Sequence, residues 1–263
     1  MNQKEKTDLR NLTFCIPVRV DSANRKRNLY SVLKFYSLNT HSHYIILEAD
    51  KQCHLQDLPF SDEQSYKFVK DDNLIFHRTH YINQMLAKVK TPFAAIWDTD
   101  AIVPILQLSK AYDLLSEEKD TLIYPYDGYF WNINNFFSTI FSQKLNIHIF
   151  KSHLMERRLI YSSHARGGGF LVNVNLYKEC GWENEFFRGW GPEDEERYKR
   201  LVILGRTPKR ISGEMYHLFH PRGYNSRDYD DKTAYQTKRE YCKICNMLPT
   251  DLKQYIKTWK WIK

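Results

Sequence analysis

The chain has no run of apolar residues near the eighteen or so that a membrane-spanning helix needs. Met1–Arg10 is polar where a secretory leader carries an apolar stretch, so the expectation is a soluble, cytoplasmic protein. Cysteine is scarce. The five residues Cys15, Cys53, Cys180, Cys242 and Cys245 are odd in number and scattered, which fits a reducing compartment better than a disulfide framework. Cys242-x-x-Cys245 lacks the second pair that a zinc site of this spacing requires. There is no internal repeat and no low-complexity tract, which excludes solenoids and sequence-biased linkers.

What is present points to a globular protein. At 263 residues with 42% hydrophobic content, the chain can bury the core of one large domain or two small ones. Its net charge of +8 favours anionic partners, among which nucleotide-sugars, nucleic acid and acidic lipid all qualify. Basicity is the sole argument for nucleic acid, and no nucleic-acid partner is expected.

The order of elements narrows the fold. Leu12–Val18 is a short apolar run that reads as a buried parallel strand, and Leu29, Val32, Leu33, Phe35 and Tyr36 recur at helical spacing over about Arg25–Asn39. His43–Leu47 follows as a strand ending near Asp50, then Leu74–Phe76 as a third strand candidate, then a helix from about Thr79 to Val89. Phe93–Trp97 is a further buried strand that runs directly into Asp98-Thr99-Asp100. This alternation predicts an α/β protein with a Rossmann-like, mostly parallel sheet flanked by helices, whose ligands gather at the C-terminal strand ends. Two carboxylates one residue apart at such an end can converge on a cation; a plain Asp turn is the simpler alternative. A helix over Ile105–Lys119, strands over Leu122–Tyr126, Phe170–Val174 and Ile211–Phe219, and helices over Leu176–Cys180 and Glu193–Leu204 complete the expectation. The aromatic-rich span Gly128–Ile149 reads as core.

Arg166–Arg222 concentrates the chemistry. It opens on Gly167-Gly168-Gly169, carries Gly189-Trp190-Gly191-Pro192-Glu193-Asp194, and closes on His217-x-x-His220-Pro221-Arg222. Glycines let backbone approach a ligand, Trp190 offers a flat face for a sugar ring, Glu193 and Asp194 accept protons or hydroxyl hydrogen bonds, and the histidines offer neutral nitrogen ligands. Each piece also has an ordinary reading: a turn, a favourable charge at a helix N-terminus, a surface or core histidine.

Taken together and in order, these motifs resemble the GT-A glycosyltransferases. The likeness is to the branch that holds β-1,4-galactosyltransferases, polypeptide N-acetylgalactosaminyltransferases and bacterial chondroitin polymerases. Ile16-Pro17-Val18-Arg19 is similar to the family's Ile-Pro-Phe-Arg, Phe76-His77-Arg78 to Phe-Asn-Arg, Asp98-Thr99-Asp100 to the metal-binding Asp-x-Asp, and His220-Pro221-Arg222 to His-Ser-Arg. Gly189–Asp194 is similar to Gly-Trp-Gly-Gly-Glu-Asp, with Pro192 in place of a glycine and Arg188 where a tryptophan is usual. The resemblance implies that Pro17, Arg19, Asp21, Arg25, Phe76, Arg78, Asp98 and Trp190 bind a nucleotide-sugar. It implies that Trp190, Gly168, Gly169 and Glu193 meet the acceptor, and that Asp194 is the base with Glu193 orienting the acceptor. It places Mn²⁺, or Mg²⁺ as second choice, on Asp98, Asp100 and His220, with His217 as alternative or additional ligand. The activity implied is inverting transfer from a UDP-sugar to a glycan or lipid-linked acceptor. A nucleotidyltransferase acting on sugar phosphates and a non-catalytic carbohydrate-binding module are the competing readings.

The expected organisation is a catalytic domain over residues 1–231, with a nucleotide-sugar part at about 10–105 and an acceptor part at about 106–231, followed by a helical tail over 232–263. That tail holds seven lysines and Arg239 against Glu240 and Asp251, interleaved with Tyr255, Ile256, Trp259, Trp261 and Ile262. Such a mixture suits either a helix that packs its aromatics on the domain or peripheral contact with an anionic membrane, whose inner face is then a second location.

Overall fold

The sheet is organised around β1 (Thr7–Val18), whose Leu12, Phe14, Cys15, Ile16 and Val18 are all buried, as a strand covered on both faces requires. The computed structural model describes residues 5–58, 63–117, 120–152, 158–160, 164–189, 191–223 and 231–262. After β1 come α1 (Ala23–Asn39), β2 (Thr40–Asp50), β3 (Gln64–Lys70), α2 (Arg78–Leu86), β4 (Phe93–Trp97), β5 (Ala101–Ile102) and α3 (Ile105–Glu117). Next are β6 (Leu122–Tyr124), β7 (Phe130–Asn132), α4 (Asn135–Lys144), a 3₁₀ turn (Ile147–Lys151), β8 (Arg158–Leu159), β9 (Gly169–Asn173) and α5 (Val174–Glu179). The chain continues through α6 (Glu193–Ile203), β10 (Lys209–Arg210), β11 (Met215–His217), α7 (Asp231–Cys245) and α8 (Pro249–Lys257).

Seven strands form the main sheet in the order β10-β6-β9-β4-β1-β2-β3. All neighbours run parallel except β9, which lies antiparallel to both β4 and β6. A second sheet, β5-β11-β7-β8, stands beside it. Ser22 starts α1 by accepting a hydrogen bond from the Arg25 amide, which fixes Arg25 in the first turn, just past the end of β1. Under α1, Phe14 stacks on Tyr36 and Tyr44 and meets the edge of Trp97, which locks β1, β2 and β4 together.

The expected α/β class and mostly parallel sheet are those observed, and three local expectations are corrected. Leu74–Phe76 is a bend, and the third strand is instead Gln64–Lys70, half-exposed because it is the sheet edge. Of the expected strand Ile211–Phe219 only Met215–His217 forms, since Gly213 turns the chain at φ +122 between β10 and β11. Within the aromatic-rich span, Phe130, Phe137 and Phe141 are core as expected, yet Tyr129 and Phe136 are exposed.

The tail packs on the body. Ile244, Leu252, Ile256 and Trp259 form a small buried cluster with Ile203 and Leu204 alongside, and Trp261 Nε1 donates to the Gly181 carbonyl at 3.3 Å. Lys253, Lys257 and Lys260 stay in solvent. Among the described residues no helix is long and apolar enough to cross a membrane.

Candidate functional site

A cavity of about 530 Å³ opens where β1 and β4 end, roofed by the start of α6 and the residues after β11. Pro17, Arg19, Asp21, Arg25, Phe76, Arg78, Asp98, Asp100, Gly168, Glu193, Asp194, His217 and His220 all line it. Of the remaining sequence candidates, Gly169 sits in β9 behind Trp97, and Trp190 lies outside the described residues.

Backbone geometry places the two aspartates. Asp98 N donates to Gly168 O at 2.9 Å, and Trp97 Nε1 closes the turn by donating to Ala101 O at 2.8 Å. Leu218 N then donates to Asp100 O at 2.8 Å, which draws the histidine segment against the aspartate turn. Ligand atoms of Asp100, His217 and His220 consequently lie within 4.8 Å of one another. His220 Nε2 is 3.2 Å from Asp100 Oδ2, and His217 Nε2 is 3.6 Å from Asp100 Oδ1. Burial pushes His217 down to about 4 despite Asp100, so it is the neutral imidazole that ligates metals. Its Nδ1 is buried without a hydrogen-bond partner. For Asp100 burial works upward, but the imidazoles and Arg25 outweigh it and hold the carboxyl well below the usual range. A carboxylate with two imidazoles and an orphaned ring nitrogen fits a divalent cation.

Asp98 stands apart from that cluster. Its Oδ1 accepts from Arg78 Nη2 at 2.6 Å; burial pushes its carboxyl up, Arg78 pulls it down, and Asp100 adds to the rise. Arg19 lines the cavity, but its guanidinium is turned to internal acceptors: Ala49 O, Asn73 O, Leu74 O and Asp71 Oδ2. The bend at Leu74–Phe76 thus serves as its anchor, with Phe76 beneath the guanidinium at 5.3 Å. Arg25 points inward, its Nε donating to Asp21 Oδ1 at 2.9 Å and its Nη1 to Asp100 Oδ2 at 3.2 Å.

The acidic pair opens α6 and lines the same cavity. Glu193 keeps part of its side chain open to the cavity while Oε2 is buried without a partner; desolvation first, and then Asp194, push it up to about 8. Asp194 is one-third exposed and accepts from Arg197 Nη1 through Oδ1 at 2.8 Å. Its Oδ2 lies so close to Gly167 that a Cβ there would stand 2.7 Å away. Gly168 holds φ +84, and a Cβ on it would strike Met215 Sδ at 2.5 Å. The glycine run therefore lets β9 enter between the second sheet and α6, a packing role that the sequence pattern did not separate from ligand contact.

Sequence reasoning missed Phe130, Asn132 and Phe219 in the cavity wall, because they reach it through the pairing of β7 with β11, a tertiary contact that composition does not show. It also missed Arg197 and Glu183. The signal available for Arg197 was an arginine three residues after Asp194 on the same helix face.

No family model matches the sequence, and no curated protein matches it. Among solved structures, the catalytic domain of Drosophila β1,4-galactosyltransferase 7, solved in complex with xylobiose, is similar with a TM-score of 0.52 at 16% identity. The match covers 93% of this chain and 83% of that one. With its element order, its mostly parallel seven-stranded sheet and this breadth of match, the chain resembles the GT-A glycosyltransferases and has their fold.

Proposed function

We propose that this chain is a metal-dependent inverting glycosyltransferase. It moves a hexose or N-acetylhexosamine from a UDP-sugar to a hydroxyl of a glycan acceptor, either a polysaccharide or a lipid-linked oligosaccharide. The observation that carries the reading is that one cavity is lined by both groups: Asp98, Asp100, His217 and His220, and the acidic pair Glu193 and Asp194. Likeness in fold to a galactosyltransferase catalytic domain supports the same class.

In this reading Asp100, His217 and His220 would hold Mn²⁺ or Mg²⁺, with Asp98 a further carboxylate in the same cavity. A cation bound there offsets the charge that develops on the departing diphosphate. Arg25 and Arg78 line the same wall and pair with phosphate oxygens, while Pro17, Asp21 and Phe76 border the nucleotide. Glu193, carrying its proton near neutral pH, donates a hydrogen bond that orients the acceptor. Asp194 takes the proton from the acceptor hydroxyl as that oxygen attacks the anomeric carbon; the bond to UDP breaks on the opposite face, so configuration inverts. UDP leaves, and the proton stays on Asp194 until solvent removes it.

A panel of UDP-sugars assayed with candidate glycan acceptors for enzyme-dependent UDP release tests the proposal and identifies the donor. Pyrophosphate released from a nucleoside triphosphate and a sugar phosphate would instead assign the cavity to nucleotidyl transfer.

A further inference from the structure

Arg197 is one of two fully buried arginines among the described residues, and its guanidinium faces two carboxylates at once. Nε and Nη2 donate to Glu183 Oε1 and Oε2, each at 2.9 Å, as a bidentate fork, and Nη1 donates to Asp194 Oδ1 at 2.8 Å. The guanidinium plane lies 4.1 Å over the ring of Phe170 in β9. Glu183 is itself held: Tyr177 donates its hydroxyl to Oε1 at 2.5 Å, and the Glu183 amide donates to Asn83 Oδ1 at 3.0 Å.

For neutralising a buried arginine, Glu183 alone supplies the opposite charge, so a second carboxylate is not needed for that. The third arm of the guanidinium goes to a residue that lines the cavity and is one-third exposed. Because Arg presents its donors in a rigid fork, fixing two of its nitrogens on Glu183 also fixes the direction of the third. Asp194 is thereby held through Oδ1, while Oδ2 is set against Gly167 at the cavity wall. The clamp spans three elements, from Tyr177 on α5 through Glu183 in the following loop to α6.

We propose that Arg197 is a positioning residue for transfer: clamped by Glu183, it holds the Asp194 carboxylate in the one orientation that meets the acceptor hydroxyl. This rests on Asp194 being the base. Its consequence is that the geometry of the fork, more than its charge, sets the rate. A displacement of roughly 1 Å at a reacting group can cost about a hundredfold in rate.

The test is a cycle of Arg197→Lys, Asp194→Asn and the double variant, with kcat, donor KM, UDP affinity and melting temperature measured on the full chain. Lysine keeps the charge but has a single point of attachment, so it cannot span Glu183 and Asp194 together. Arg197→Lys is expected to lower kcat about tenfold to a hundredfold with donor KM and UDP affinity within about twofold. In the Asp194→Asn background the same change is expected to cost nothing further, since the group it positions is gone. A kcat within twofold of wild type for Arg197→Lys overturns the proposal, as does a loss that multiplies with that of Asp194→Asn. Full activity of Asp194→Asn itself overturns the base assignment instead, so the two failures are distinct. If Arg197→Lys does not fold, Glu183→Gln takes its place: it keeps the acceptor oxygen for Tyr177 and loosens the fork. A lowered kcat with unchanged UDP affinity then supports the positioning role, and an unchanged kcat overturns it.

Discussion

Arg25 stands on Asp100: its Nη1 lies 3.2 Å from Asp100 Oδ2, while Nη2 is 3.2 Å from Nδ1 of His220. A guanidinium thus occupies the space beside two of the three groups proposed to hold the cation, and a divalent ion entering there meets a like charge. Arg25→Gln is therefore expected to bind Mn²⁺ more tightly than wild type in the absence of nucleotide, by about tenfold for some 1.4 kcal/mol of relieved repulsion. The same variant is expected to bind UDP more weakly. Calorimetric titration of each ligand alone checks both directions; Mn²⁺ affinity that stays equal or falls contradicts the arrangement.

Asp194→Asn tests the base. The amide keeps the shape and the bond from Arg197 but cannot take a proton, so kcat should fall by a factor of about 10²–10⁴ while UDP affinity is retained. Steady-state kinetics beside a binding isotherm gives both quantities, and a variant within twofold of wild type moves the base to another group.

Glu193 gives a dependence on pH. Its carboxyl, raised to about 8 from an ordinary 4.5, is protonated in the folded chain across a range where the unfolded chain has already lost that proton. The folded state then binds more protons, so the contribution of Glu193 is full below about pH 4.5 and is lost as pH rises through about 8. Glu193→Gln removes this decline. Its melting temperature relative to wild type should increase between about pH 5 and pH 9, and a difference that is constant over that range contradicts the burial argument.

Much of this was legible in the chain itself, and the exceptions have physical causes. Buried runs such as Leu12–Val18 and Phe93–Trp97 announce parallel strands because both faces are covered, and the acids after Phe93–Trp97 then fall at a strand end where ligands collect. Gln64–Lys70 escaped because an edge strand need not be apolar, and Leu74–Phe76 misled because a short apolar run serves equally as a bend packed under an arginine. The direction of β9 cannot be read from its composition, which suits either orientation. The pairing of Glu183 with Arg197 joins residues from different elements, and in a sequence a buried charge looks like a solvated one.

The tail was open to two readings, and the structure shows its aromatics packed on the domain. Trp259 is 3% exposed and shelters Gly181, where an added Cβ would stand 2.6 Å from the indole. Trp259→Ala should cost about 3–5 kcal/mol, as large-to-small changes at buried aromatics do, and guanidinium unfolding measures it. Membrane contact through these same aromatics would need them released. Equal sedimentation with anionic vesicles by the full chain and by a chain ending at Asp231 is expected, and loss of binding on truncation contradicts it.

The most direct measurement is UDP release from the donor that the enzyme accepts, after EDTA treatment and again after Mn²⁺ is restored, for wild type and for Asp100→Asn. Chelation is expected to abolish release, Mn²⁺ to restore it in the wild type, and Asp100→Asn to stay inactive at the same Mn²⁺ concentration. Undiminished release from EDTA-treated enzyme, or full activity of Asp100→Asn, would contradict the proposed metal site.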